Sequence, residues 1–130
     1  MYFPLNILMA DSLSWKVIPP NPQYVLLGSN ISLEWDYELA PGETTSGFFQ
    51  VIWGQQQSGM SWWLNVAVKS SNLGIIIFRD RNHIHVDGTK RATLIITNVR
   101  EDHHAAYRCS IESSSTGLAP ANVNLIVLSK

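Results

Sequence analysis

Apolar and polar residues alternate along most of the chain in short runs that turn-forming residues separate. Every second position is apolar over 31–36 and 49–53, which is the period of a strand with one buried face. Prolines at 19, 20 and 22 and the Pro41–Gly42 pair interrupt the pattern. Further strand candidates lie at 63–68, 75–78, 84–86, 94–96, 107–111 and 123–127. About nine short antiparallel strands at roughly ten-residue spacing predict an all-β sandwich or barrel.

The length of 130 residues suits one domain. Residues 1–12 are expected to be an N-terminal extension, either the remnant of a secretory signal or an addition from cloning, although a first edge strand explains them equally well. Residues 13–130 form the expected domain. No stretch of the sequence approaches the ~20 apolar residues that span a bilayer.

Composition excludes several classes of function. With 9 Lys and Arg against 10 Asp and Glu, the net charge of -1 gives no attraction to phosphate backbones, so no nucleic-acid partner is expected. One cysteine cannot form an intrachain disulfide or a multi-thiolate zinc site. The chain has no phosphate loop, dinucleotide fingerprint or nucleophile elbow. We therefore expect a non-enzyme without cofactors.

The segments 92–99 and 105–109 resemble the E-to-F stretch of immunoglobulin V-set domains, in which a tyrosine precedes a cysteine by two positions. Gly28 to Leu33 resembles the start of strand B of that family. The resemblance covers about residues 13 to 128 and implies a V-set-like β-sandwich with an extra hairpin between Trp53 and Ile84. The core residues that it implies are Leu33, Trp35, Phe49, Leu94, Tyr107 and Cys109.

The chain departs from the family pattern at strand B, where Trp35 occupies the position of the first cysteine. Cys109 therefore lacks its partner, and the sandwich is expected to lack the inter-sheet disulfide. A bridge over about 74 residues would contribute roughly 4 kcal/mol, which packing must replace. Phe49 is assigned to the core, while Trp53 is left open and enters the candidate partner surface below.

A second departure lies six residues before the cysteine, where the family has an aspartate and this chain has His103. Asp102 comes one position early. In V-set domains that aspartate pairs with a strand-D arginine, and Arg81 is the candidate here. The resemblance therefore implies an Arg81–Asp102 ion pair.

Two further motifs suggest chemistry. Histidines at 83, 85, 103 and 104 could in principle hold a metal, but no carboxylate or thiol has ligand spacing with them, so no metal site is expected. Asn30-Ile31-Ser32 is an N-glycosylation sequon. Its place after a Gly-Ser turn makes Asn30 the predicted glycosylation site.

Excess aromatic and aliphatic residues are the main functional clue. Neighbours on a strand point to opposite faces, so one residue each of 62–63 and of 76–77 must leave the core. Exposed apolar patches usually mark interfaces, and tryptophan is a favoured anchor. The predicted partner-binding residues are Trp53, Trp62, Ile76 and Phe78, with Gln55 and Gln57 at the rim.

The missing strand-B cysteine and the aromatic B and C strands are similar to those of membrane-distal domains of invertebrate, cnidarian-type allorecognition receptors. This resemblance implies a cell-surface adhesion module, part of a larger single-pass membrane protein, that binds the same domain on an opposing cell. Any contact with a membrane would involve segments outside this chain. The alternative is a carbohydrate- or other ligand-binding domain that uses exposed tryptophans, and a purely structural spacer is a third possibility.

Overall fold

The computed structural model describes residues 12–114 and 117–129, so all but the last residue of the predicted extension 1–12 lies outside it. The described residues contain ten strands and a short 3₁₀ turn at Glu101–His103. The strands are β1 (Ser14–Val17), β2 (Gln23–Leu26), β3 (Ile31–Glu38), β4 (Phe49–Gln56), β5 (Leu64–Ser70), β6 (Gly74–Ile77), β7 (Ile84–Val86), β8 (Ala92–Ile96), β9 (Ala105–Ser113) and β10 (Leu118–Leu128).

Two sheets pack face to face, a four-stranded sheet of order β1-β3-β8-β7 and a six-stranded sheet of order β2-β10-β9-β4-β5-β6. The prolines at 19, 20 and 22 lie between β1 and β2, where the chain passes from one sheet to the other; proline cannot donate to a ladder, so no strand continues there. The predicted all-β sandwich is confirmed, with ten strands instead of about nine. Among the described strands, the β2–β10 pair is parallel and the others are antiparallel.

The six-stranded sheet carries two strands beyond β4. β5 pairs with β4, and β6 pairs with β5 and forms the edge. β5 and β6 lie between Trp53 and Ile84, where an extra hairpin is expected. Their addition widens the sheet, which leaves a broad surface on the side that faces away from the other sheet.

The core fills the space between the sheets. It contains all six residues assigned to it from the sequence, each at most 4% exposed: Leu33, Trp35, Phe49, Leu94, Tyr107 and Cys109. Trp53 also belongs to the core, with 0% of its surface exposed. It follows Phe49 and Val51 on the same face of β4 and lies opposite Cys109 of β9. The prediction that Trp53 binds a partner is therefore wrong.

Two indole N–H groups link the sheets where the disulfide is missing. Trp35 Nε1 on β3 donates to the backbone oxygen of Ala121 on β10, at 3.1 Å. Trp15 Nε1 on β1 donates to the oxygen of Ala119, at 2.8 Å. The register of β10 is irregular between Leu118 and Ala121. Both bonds therefore end on the irregular part of one strand, which they fasten to the opposite sheet.

Candidate functional site

The side of the six-stranded sheet that points away from the core is called the outer face here. Four residues on neighbouring strands form one continuous row across it: Ser110 on β9, Ile52 on β4, Val68 on β5 and Ile76 on β6. We call them the central row. Ile52 and Ile76 are half-buried, and Val68 is only 7% exposed although it lies outside the core. The outer face thus has an apolar centre of its own.

Trp63 covers the sheet on one side of the central row. A Cβ atom at Gly54 would lie 3.6 Å from Cε3 of Trp63 and 3.7 Å from Cγ of Arg108, so both side chains lie directly over this glycine. The guanidinium carbon of Arg108 lies 4.6 Å from the centre of the Trp63 ring. This cation–π contact holds the arginine in place on the sheet surface.

Small and polar residues occupy the opposite side of the row. Gln50 Nε2 donates to Glu112 Oε1, at 2.8 Å, and Ser70 pairs with Gly74 at the sheet edge. Arg108 and Glu112 are the only charged residues that point outward from the six described strands. Neither takes part in an ion pair among the described residues. The face therefore combines an apolar centre with one positive and one negative charge that have no ion-pair partner among the described residues.

Three of the residues predicted to bind a partner lie on or beside this face. Ile76 belongs to the central row. Phe78 follows it by two positions, on the same side by alternation, and is 54% exposed. Trp62 is 55% exposed in the connection between β4 and β5. Their exposure leaves them accessible to a partner.

The two glutamines predicted at the rim lie elsewhere. Gln55 has the same orientation as Trp53, and its Nε2 donates to the Tyr107 hydroxyl at 2.9 Å. Gln57 Nε2 donates to the backbone oxygen of Asp102, also at 2.9 Å. Both side chains therefore support the corner before β9. The inward orientation of Gln55 contradicts its assignment to the partner surface, whereas the assignment of Gln57, whose hydrogen bond is exposed, stays a prediction.

The predicted Arg81–Asp102 ion pair is not formed. Arg81 Nε donates to the backbone oxygen of Ile77, and Asp102 pairs with Arg100 at 3.1 Å. The charges of the family pattern are exchanged: Asp80 supplies the carboxylate before β7, and Arg100 supplies the guanidinium in the corner, 3.1 Å away. The ion-pairing residues thus lie one position before Arg81 and two positions before Asp102.

His103 completes the reversed pair from a fully buried position. Its Nδ1 accepts a hydrogen bond from the backbone N–H of Arg100 at 2.8 Å, so Nε2 carries the proton. Nε2 donates to Asp80 Oδ2 at 2.7 Å. Tyr107 is attached to this arrangement, because its hydroxyl donates to the backbone oxygen of His103 at 2.8 Å.

The titration behaviour of these groups fits a structural role. The hydrogen bond from Arg100 holds the pKa of Asp102 below its ordinary value. Burial raises the pKa of the Tyr107 hydroxyl, and burial also raises that of the Cys109 thiol well above its usual range. A buried, protonated thiol is a poor nucleophile.

The four histidines have separate protein partners. His83 Nδ1 donates to the backbone oxygen of Thr97, and the Thr97 hydroxyl contacts His85 Nε2. His104 Nδ1 accepts a bond from the N–H of Val127. Within residues 12–114 and 117–129, no group of three or more His, Cys, Asp or Glu could hold a metal ion.

A second apolar area on the outer face was not found from the sequence. Tyr24 is 62% exposed, Leu26 48% and Leu128 43%. They lie together because β2 pairs with β10, with Leu26 opposite Leu128. Two runs about a hundred residues apart in sequence form this area, so only their alternation could have indicated it.

In the described part of the chain, no helix is long and apolar enough to cross a membrane.

Comparisons of the whole chain agree with this architecture. One similar chain comes from a structure that concerns T cell specificity and activation by the bacterial superantigen toxic shock syndrome toxin-1. It superposes with a TM-score of 0.65 and 18% identity, over 89% of this chain and 98% of that one. Murine CRIg superposes with a TM-score of 0.69 and 14% identity, over 89% and 98% of the two chains. The chain has the immunoglobulin-like fold. At such identities the likeness shows the fold alone. No protein-family model and no curated protein matches the sequence.

Proposed function

We propose that this immunoglobulin-like domain is an extracellular, cell-surface recognition module that binds protein through its outer face, and that its partner is a second copy of the same domain. The observation that carries the proposal is the central row, where three aliphatic side chains lie on the outside of a sheet whose inside already faces a complete core. Contiguous apolar surface with a polar surround is typical of an interface.

Self-recognition is supported by the charge of the molecule. The net charge of -1 produces little repulsion between identical copies. Amide side chains lie on the outer face beside its apolar centre, since Gln50, Gln56, Asn122 and Asn124 alternate with inward-facing residues of β4 and β10. Such groups form hydrogen bonds across a rim without the desolvation cost of charges.

The proposal is one of binding and not of catalysis. The single cysteine is buried and its pKa is raised. Fold neighbours such as murine CRIg share the sandwich. The proposal further includes the V-set assignment, the cnidarian-type adhesion role and attachment to a larger single-pass membrane protein. The position of β5 and β6 supports the V-set assignment.

Replacing Trp62 or Phe78 by alanine should weaken self-association by about fivefold to thirtyfold, because each removes a large exposed aromatic anchor. Sedimentation velocity over a concentration series measures the association constant. Ile18→Ala is the matched control, since Ile18 is also apolar and 47% exposed but lies between β1 and β2. Equal association constants for wild type and both aromatic variants would contradict the proposed surface.

Carbohydrate binding is the second candidate, and one groove favours it. The groove has a volume of about 450 Å³ and is lined by amide side chains of Gln56, Gln57 and Asn124 beside Met60. Amides are suitable partners for sugar hydroxyls. This function predicts a monomer that gives heat on addition of glycans in isothermal titration calorimetry, whereas self-recognition predicts concentration-dependent association without them.

Asn30 is the proposed glycosylation site. It is exposed just before β3, in the sheet opposite the outer face. Its Oδ1 accepts a hydrogen bond from the N–H of Asn98 at 2.9 Å, so Nδ2 is the atom left for a glycan. A glycan there would leave the outer face accessible.

Expression in a eukaryotic secretory pathway should therefore yield a protein with one N-linked glycan, seen as a mass decrease after treatment with peptide N-glycosidase. Ser32→Ala should abolish the modification and keep the Asn30–Asn98 hydrogen bond, which Asn30→Gln would disturb. Ser32→Thr preserves the sequon and is the positive control. A wild-type protein at its unmodified mass would refute this assignment.

A further inference from the structure

The two charges of the outer face, Arg108 and Glu112, are placed symmetrically about the central row. Arg108 precedes Ser110 by two residues on β9, and Glu112 follows it by two. All three side chains point outward, because Tyr107, Cys109 and Ile111 between them are buried. The charges therefore lie about 13 Å apart along the strand, with the central row halfway between them.

We propose that two copies stack outer face on outer face about a twofold axis that runs along the central row, so that Arg108 of each copy pairs with Glu112 of the other. This inference rests on the proposed self-recognition and specifies its geometry. Rotation by 180° about a line across the strands lays each strand antiparallel on its own copy. Residues at equal distances on opposite sides of the axis then meet, and the charge pair forms twice.

Side-chain size follows the same symmetry. Phe78 and Gly74 lie two residues to either side of Ile76, so the exposed ring of one copy meets the glycine of the other. Trp63, which covers Gly54, lies on the Arg108 side of the row, whereas Ser70 lies on the Glu112 side. Bulky groups therefore face small ones, and the aliphatic side chains of the central row face their own copies.

The charges also exclude the other simple arrangement of two facing sheets. An axis along β9, parallel to the strands, would place Arg108 on Arg108 and Glu112 on Glu112. Like charges brought together at a closing interface strongly disfavour it. The axis along the central row converts both repulsions into attractions, so the outer face is complementary to itself in one orientation.

The size of the face fits a modest interface. The six strands lie about 4.8 Å apart and have an average length of about 25 Å, so the outer face presents roughly 700 Å² per copy. Stable complexes bury about 800 Å² per partner, so the contact lies at the lower end of the standard range. A second copy that covers the whole face is therefore required, and covering the apolar centre alone would be insufficient.

Charge reversal at the two positions tests the axis. Arg108→Glu leaves two negative residues on the face, and Glu112→Arg leaves two positive ones. Each variant alone should self-associate at least about tenfold more weakly than wild type. In an equimolar mixture every facing pair is again Arg against Glu, so a heterodimer should form with an association constant within about threefold of the wild-type value.

Sedimentation velocity on each variant and on the mixture measures these constants, with circular dichroism to show that each variant is folded. Glu112→Arg does not touch Trp63, so it remains informative if Arg108→Glu disturbs the cation–π contact. Wild-type association by either folded variant alone would overturn the axis, as would a mixture as weak as its components. A monomeric wild-type protein at millimolar concentration would instead overturn self-recognition itself.

Discussion

Replacing Trp35 by alanine should lower the free energy of unfolding by about 3–5 kcal/mol, the range for a large aromatic removed from a core. The indole is 1% exposed and occupies the strand-B position where the family has a half-cystine. Its removal leaves a cavity between the sheets and also abolishes the hydrogen bond to Ala121. The change is therefore comparable with the roughly 4 kcal/mol that a disulfide over a loop of this length contributes.

Urea unfolding followed by far-ultraviolet circular dichroism measures this loss, since fluorescence would change with the indole itself. Trp35→Phe is the matched control, because it keeps most of the buried volume and loses only the N–H donor. We expect it to cost about 1–2 kcal/mol. If Trp35→Ala costs no more than Trp35→Phe, the indole does not fill the place of the bridge.

Replacing Asp80 by alanine should destabilise the protein by about 2–4 kcal/mol, because it leaves the N–H of the buried His103 side chain without its acceptor. Asp80 also accepts from Arg100 and has a φ of 58°. Alanine tolerates this left-handed conformation poorly, whereas aspartate and asparagine adopt it more readily. Asp80→Asn should cost less than the alanine variant, since its amide oxygen still accepts from His103.

Arg81→Ala is the informative comparison for this prediction. The family pattern assigns the ion pair to residue 81, whereas the structure assigns it to the carboxylate at 80 and the guanidinium at 100. Arg81 makes one exposed hydrogen bond to a backbone oxygen, so its loss should cost under about 1 kcal/mol. Thermal unfolding of the two alanine variants decides between these assignments, and the family assignment would be favoured if Arg81→Ala were the more destabilising.

Alternation along single strands was enough to predict the fold and most of the core. The alternation that begins with Phe49 and Val51 predicts that Trp53 and Gln55 also point inward from β4. The structure shows both residues on that inward face. The errors at Trp53 and Gln55 came from grouping residues by their place in a hairpin. The faces of their strand give the correct assignment.

The outer face could be predicted only in part, because its organisation lies across strands. The central row depends on the registers that place Val68 between Ile52 and Ile76. An irregularity opposite Trp53 and Gly54 shifts the pairing of β5 by one residue. Without this register, alternation along the sequence does not decide which face Trp63 covers. The same reason hides the area that β2 and β10 form together.

The reversed charges in the corner before β9 show a different limit. Asp80 and Arg81 are neighbours with opposite charge, as are Arg100 and Glu101. Asp80 and not Arg81 pairs with Arg100, and Asp80 has a φ of 58°, a backbone conformation that spacing along the sequence does not reveal. Spacing to the cysteine therefore locates the corner and leaves its ion pair undetermined.

The two indole links between the sheets have a consequence for where this domain can fold. Neither Trp15 nor Trp35 bonds through a thiol or a disulfide, and Cys109 is buried without a second thiol in the chain. The stability of the sandwich is accordingly independent of the redox potential of its surroundings. The domain needs no disulfide isomerase to mature, and reductants that weaken a bridged sandwich leave its cross-sheet attachments intact.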